Sequence, residues 1–242
     1  MTSSYDCSDP AQRSEGLAAA QRAIAAKQCV VLPTDTVYGI AADAFSPQAV
    51  ATLLAAKGRG RNMPPPVLIP RVQTMDGLAA DLSAEARLLA EAFWPGALTI
   101  ICHAQPSLTW DLGDTVGTVA LRMPDDRITL DLLALTGPLA VSSANRTGHP
   151  AAASVAEAIA QLAGSAVVYL DGGPRSSGDG LASTIVDATG EQPVIVREGT
   201  LSLEELRAVV PLVEGMRPAP DGNDAPPATP GPSTPESAPE RP

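Results

Sequence analysis

Cys29-Val30-Val31-Leu32-Pro33-Thr34-Asp35-Thr36-Val37-Tyr38-Gly39 decides how the chain is read. Four apolar residues in a row, two of them β-branched, suit a short strand buried on both faces. Proline ends the run, and the next residues bring two threonine hydroxyls, a carboxylate and a phenol. Open α/β sheets place their ligand sites in loops beyond strand ends, where such polar groups gather. The same residues also fit a plain Asx or ST turn joining strand to helix.

Outward from this strand, helix and strand signals alternate. Asp9-Pro10 reads as an N-cap with proline at the first helical position, opening an Ala-rich helix to about Lys27. Ser46-Pro47 repeats the signature before a helix ending near Lys57, with Gly58 placed to close it. Ser83 caps a helix reaching Phe93, and a further helix is expected from Arg127 to Leu135. Ser154 with Glu157, and Ser202 with Glu205, match the capping box. Strands are expected at 67–69, 98–102, 116–122, 139–142, 167–170, 184–186 and 194–197. This order predicts an α/β fold: a twisted, open, mixed sheet with flanking helices.

Composition bounds the function. The chain has 242 residues and a formal net charge of −11, with 16 cationic residues of which only Lys27 and Lys57 are lysines. No basic block marks a nucleic-acid arm or membrane patch, so an anionic ligand must be held by a few placed cations. Met1 to Pro10 has neither a basic nor an apolar region of a signal peptide. Apolar runs such as Leu98 to Cys102 fall far short of the roughly 20 residues a membrane helix needs. Three cysteines, with no CxxC spacing, suit a reduced cytoplasmic protein. Residues 1–8 are expected to fray, 9–216 to form one folded domain, and 217–242 to be disordered. That last stretch holds nine of the 24 prolines and no Val, Ile, Leu, Met or aromatic residue.

Four loops carry unusual polar content. The first is Pro33 to Gly39. The second, Lys57-Gly58-Arg59-Gly60-Arg61, sets three cations in five residues; one or two would suit a helix C-terminus, but three with glycines between suit an anion. The third is Ser142-Ser143-Ala144-Asn145-Arg146-Thr147-Gly148. The fourth comprises the strand-end cations Arg122 and Arg197, with Thr118 on the same strand face as Arg122. There is no P-loop and no nucleophile elbow, and His103 and His149 are not spaced as metal ligands.

Together these loops resemble the YrdC family, the threonylcarbamoyl-AMP synthases. The resemblance rests on Pro33 to Gly39, Ala56-Lys57-Gly58-Arg59, Phe93-Trp94-Pro95-Gly96-Ala97-Leu98-Thr99 and Val119-Ala120-Leu121-Arg122-Met123-Pro124. It continues in Ser143-Ala144-Asn145-Arg146-Thr147-Gly148, and in Ser183-Thr184-Ile185-Val186-Asp187 followed by Arg197-Glu198-Gly199. It implies a YrdC-like sheet with a concave active-site face, in the single-domain form. It also implies synthesis of threonylcarbamoyl-AMP and pyrophosphate from L-threonine, bicarbonate and ATP. Mg²⁺ would be held mainly by the nucleotide phosphates, and the product would pass to separate tRNA threonylcarbamoyl-transferase proteins. Threonine-binding roles would fall on Thr36, Tyr38, Arg122 and Ser183. ATP-binding roles would fall on Lys57, Arg59, Thr118, Ser143, Asn145 and Arg197, with Lys57 and Arg59 acting in catalysis. Met63 and Leu68 stand where many members have Asn and His, and Ala151 replaces a common Ser. The competing readings are an RNA-binding module, disfavoured by the acidic charge, and a paralogue that keeps the fold without this activity.

Overall fold

The computed structural model describes residues 2–162, 164–175 and 182–216. The expected tail, 217–242, lies outside the described residues. In chain order, the first half runs β1 (Ser3–Asp6), α1 (Pro10–Ala25), β2 (Val30–Leu32), β3 (Gly39–Asp43), α2 (Pro47–Lys57) and β4 (Val67–Leu68). A 3-10 turn leads into the short α3 (Met75–Leu78) and β5 (Ala79–Ala80). Then come α4 (Ala84–Phe93), β6 (Leu98–Ala104), β7 (Thr118–Arg122), α5 (Arg127–Thr136) and β8 (Leu139–Ser143). The chain continues through α6 (Val155–Leu162), β9 (Val168–Asp171), β10 (Thr184–Asp187), β11 (Val194–Arg197) and α7 (Leu203–Val209).

The strands form one mixed sheet in the order β1-β9-β2-β3-β8-β4-β7-β6-β10-β11, with β5 paired to β6. Local chemistry starts the helices where expected. Asp9 accepts from the amides of Ala11 and Gln12, Ser46 from Ala49 and Ser83 from Ala86, and Ser202 with Glu205 closes a full capping box. Gly58 ends α2 in the left-handed region at φ 64°, where a side chain would be strained.

Two expectations are corrected. Residues 1–8 are not simply frayed: β1 pairs in parallel with β9, Ser3 opposite Val168 through Asp6 opposite Asp171. The alternating polar character of Ser3-Ser4-Tyr5-Asp6 hides an edge strand whose partner is distant in sequence. The polar turn after β2 does not lead to a helix either. It closes a hairpin, because β3 runs back antiparallel to β2 and pairs with β8 on its other side. Gly39, Ala41, Ala42 and Asp43, all of low strand propensity, are held extended by neighbours on both edges.

The sheet's two halves differ in how they are covered. On the β9-β2-β3-β8 half, Val30 and Leu32 pack on one face with Ala20 and Ile24 of α1 and Leu132 and Leu133 of α5. Val31, Ile40 and Ala42 pack on the other with Leu53 of α2 and Val155 of α6. Burial on both faces explains the unbroken apolar run that β2 showed in the sequence. On the β7-β6-β10-β11 half, Leu98, Ile100, Leu121, Val186 and Ile195 pack under α4 and α7. Their strand neighbours Thr99, Arg122 and Ile185 point to the opposite face, and Arg197, two residues beyond Ile195, joins them because a break in register between β10 and β11 sets it opposite Ile185. That face is the floor of a cleft.

Candidate active site

Strand alternation and loop ends bring the cleft together. It is lined by Thr34 and Thr36 from the β2–β3 turn, Arg59 beyond α2, Leu68 at the end of β4 and Thr99 on β6. Arg122 at the end of β7, Ser142 and Ser143 at the end of β8, Ser183 before β10 and Arg197 on β11 complete it. Its cavity volume is about 190 Å³, and it opens to solvent.

Three guanidinium groups dominate its electrostatics. Arg122 is the deepest, 6% exposed. Its Nε donates to the Gly96 carbonyl at 3.0 Å, one terminal nitrogen to Thr36 Oγ1 at 3.1 Å and the other to Asp35 Oδ1 at 2.6 Å. Arg59 donates to Ser142 Oγ at 3.1 Å, while its buried Nε has no hydrogen-bond partner. Arg197, nearer the mouth, donates to the Ser183 carbonyl at 2.7 Å and to Ser183 Oγ at 3.1 Å. Burial lowers the pKa of all three, and Arg122 and Arg59 further lower that of Arg197. Asp35 alone opposes the trend at Arg122. Such a cluster has more positive charge than the protein around it neutralises, which suits an anionic ligand.

Of the residues expected at the site, Thr36, Arg59, Arg122, Ser143, Ser183 and Arg197 are gathered in the cleft. Tyr38 also lines it, and Lys57, Asn145 and Thr118 lie outside its lining. Lys57 is 1% exposed and does not reach the cleft. Its Nζ donates to the Ser143 carbonyl and, at 2.7 Å, to the Asn145 carbonyl, fixing the turn after β8. Asn145 spends its amide on the carbonyls of Arg146 and His149, at 3.0 and 2.6 Å. These bonds brace the turn after β8. Thr118 shares a strand face with Arg122 but begins β7 where Arg122 ends it, about 13 Å away at strand rise. Its hydroxyl donates to the Thr115 carbonyl. Tyr38 reaches the cleft wall, but its hydroxyl donates to the Gly173 carbonyl at 2.7 Å and accepts from the Gly172 amide at 3.0 Å. Burial pushes this phenol up to about 12. Met63 is 43% exposed and lies outside the cleft lining.

Sequence reasoning did not single out Thr99, Ser142 and Asp35 as site residues. The Thr99 and Ser183 hydroxyls lie 2.8 Å apart, a contact made only when β6 and β10 pair. Asp35 accepts from both Arg122 and the Asp125 amide, tying two loops together. No group of three or more His, Cys, Asp or Glu among the described residues is arranged to hold a metal ion.

The sequence profile of the Sua5/YciO/YrdC family, described as telomere recombination, matches residues 22–199. The chain belongs to this family. Among Sua5/YciO/YrdC relatives, a Mycobacterium tuberculosis protein named provisionally as a threonylcarbamoyl-AMP synthase is 51% identical over 210 residues. That match spans 87% of this chain and 96% of the relative. The Bacillus subtilis threonylcarbamoyl-AMP synthase is 34% identical over 82% of this chain and 58% of its own. A crystal structure of P. abyssi Sua5 complexed with L-threonine superposes with a TM-score of 0.81 at 31% identity, covering 89% of this chain and 62% of that one. The expected YrdC-like α/β fold is thus present, with its concave face open at the three arginines.

Proposed function

We propose that the chain is an L-threonylcarbamoyladenylate synthase, a nucleotidyltransferase that makes threonylcarbamoyl-AMP and pyrophosphate from L-threonine, bicarbonate and ATP. The observation that carries this reading is the convergence of Arg59, Arg122 and Arg197 on one hydroxyl-lined cleft, in a chain whose relatives bear that name. All three substrates are anions or carry a carboxylate, so neutralising charge is the main catalytic task.

Size and depth divide the cleft. Arg122, the most buried of the three cleft arginines, takes the threonine carboxylate, with Thr36 and Ser183 offering hydroxyl partners. Arg59 and Arg197 take the phosphates, and the unpartnered Arg59 Nε is a donor in waiting. Lys57 and Asn145 hold the Ser143 turn in place. The amine nitrogen bonds to the carbon of CO₂ derived from bicarbonate and releases a proton, giving a carbamate. A carbamate oxygen then bonds to the α-phosphorus as the bond to the pyrophosphate oxygen breaks. Two unit charges 4 Å apart interact by about 4 kcal/mol at an effective dielectric near 20, so three aligned guanidiniums outweigh any single side-chain base. Alignment of the two bound reactants supplies the rest. The described residues offer no carboxylate cage for Mg²⁺, so the ion would travel with the nucleotide. The product would be consumed by separate proteins that modify tRNA, in the cytoplasm.

The test is pyrophosphate release by the purified chain with each substrate omitted in turn. Release that requires threonine, bicarbonate and ATP together supports the reading. ATP hydrolysis indifferent to threonine overturns it in favour of a paralogue with other chemistry.

A further inference from the structure

The cleft is polar on one side only. Leu68 sits directly across the sheet from Arg122, since β4 and β7 run parallel with these two residues in register. Residues paired this way share a sheet face with Cβ atoms about 5 Å apart. On its other edge Leu68 is in register with Leu139 of β8, and Val141 follows two residues along on the same face. Leu68 is 2% and Val141 5% exposed, and both line the cleft. They belong to the core cluster beneath α1 and α5, so here the core itself surfaces as a wall. Gly39 keeps that wall bare: a Cβ at position 39 would lie 2.7 Å from Val141 Cγ1. Pro66, whose carbonyl accepts from the Val141 amide at 2.9 Å, continues the apolar surface.

We propose that Leu68 and Val141 choose the amino acid by its β-methyl group, admitting threonine in preference to serine through apolar contact beside Arg122. The proposal rests on the synthase reading above and adds the basis of its selectivity. An α-amino acid whose carboxylate lies on Arg122 has its side chain only one or two bonds away. The Leu68 and Val141 side chains stand one and two strands over from it. A methyl group buried on such a wall is worth roughly 10- to 200-fold in discrimination. Serine has a hydrogen where threonine has this methyl group, so it loses the apolar contact while keeping the same hydroxyl.

The experiment compares kcat/KM for L-threonine and L-serine in pyrophosphate release, for wild type, Leu68→Ala, Leu68→Val and Val141→Ala. Each ratio is taken on a single preparation, so a reduced folded fraction cancels. The expected result is a threonine-to-serine ratio that falls on the order of tenfold in Leu68→Ala and Val141→Ala, and less in Leu68→Val. If Leu68→Ala does not fold, the other two variants carry the measurement. An active wild type whose variants keep the ratio within twofold overturns the apolar wall alone. A wild type that releases no pyrophosphate with either amino acid overturns the synthase reading itself, and this proposal with it.

Discussion

Lys57 shows how much one side chain depends on where its hydrogens go. An ammonium has three donors and no acceptor. Here it meets the carbonyls of Ser143 and Asn145, with Asn145 Oδ1 at 3.4 Å. Burial, and then Arg59, lower its pKa from 10.5 to about 8. Between those values the unfolded chain keeps a proton that the folded chain has released. This group's contribution to stability therefore rises with pH across that window and is lowest below pH 8. Lys57→Met should remove that rise, and urea melts of both proteins near pH 7, 9 and 10.5 measure it. Stability curves that stay parallel would contradict the lowered pKa. Arg122 makes a different demand, because its planar fork reaches Gly96, Thr36 and Asp35 at once. A lysine brings the charge but not that geometry. Arg122→Lys should raise the threonine KM on the order of tenfold or more, the size of one lost charged hydrogen bond, while ATP KM changes little. An unchanged threonine KM in steady-state rates would remove Arg122 from the carboxylate.

Among the elements, β1 carries the clearest consequence of a long-range partner. Its tie to β9, over 160 positions away, is extended by the Cys7 amide, which donates to the Asp171 carbonyl at 2.8 Å. Deleting residues 2–7 removes that ladder and the packing of Tyr5 against the α1 and β9 core. Burial of one aromatic side chain is worth about 1.5–3 kcal/mol, and partial burial of Tyr5 puts the expected loss near 1–2 kcal/mol. In a chain of this size, that lowers Tm by about 4 °C. Thermal melts of the truncated and full chains check it, and equal Tm values would mean that the edge strand adds nothing. Helix starts were legible in the sequence because caps are local: Asp9, Ser46, Ser83 and Ser202 act within three residues of themselves. Strands β1 and β3 were not, because what holds them extended is a partner elsewhere in the chain.

For the whole molecule, the three arginines make an acidic protein locally cationic. Ligands that bind only the folded state raise its stability, by about 2.7 kcal/mol at a hundred times Kd. ATP or pyrophosphate at such concentrations should raise Tm by about 5–10 °C, with the shift shrinking as salt is added. Thermal-shift titrations measure this, and an unmoved Tm would argue against a nucleotide site in the cleft. The net charge of −11 predicts no retention of tRNA in filter binding at physiological salt. The sequence by itself determined the apolar strands, the capped helices, the family motifs and the set of cations available. Only the tertiary structure decided which of them line the cleft. Lys57 and Arg59 are two positions apart, yet the left-handed turn at Gly58 sends the first inward and the second into the cleft. Thr118 and Arg122 share a face, yet stand at opposite ends of a strand. A motif records which side chains are present; their directions come from strand register, caps and turns, whose partners lie far away in the chain.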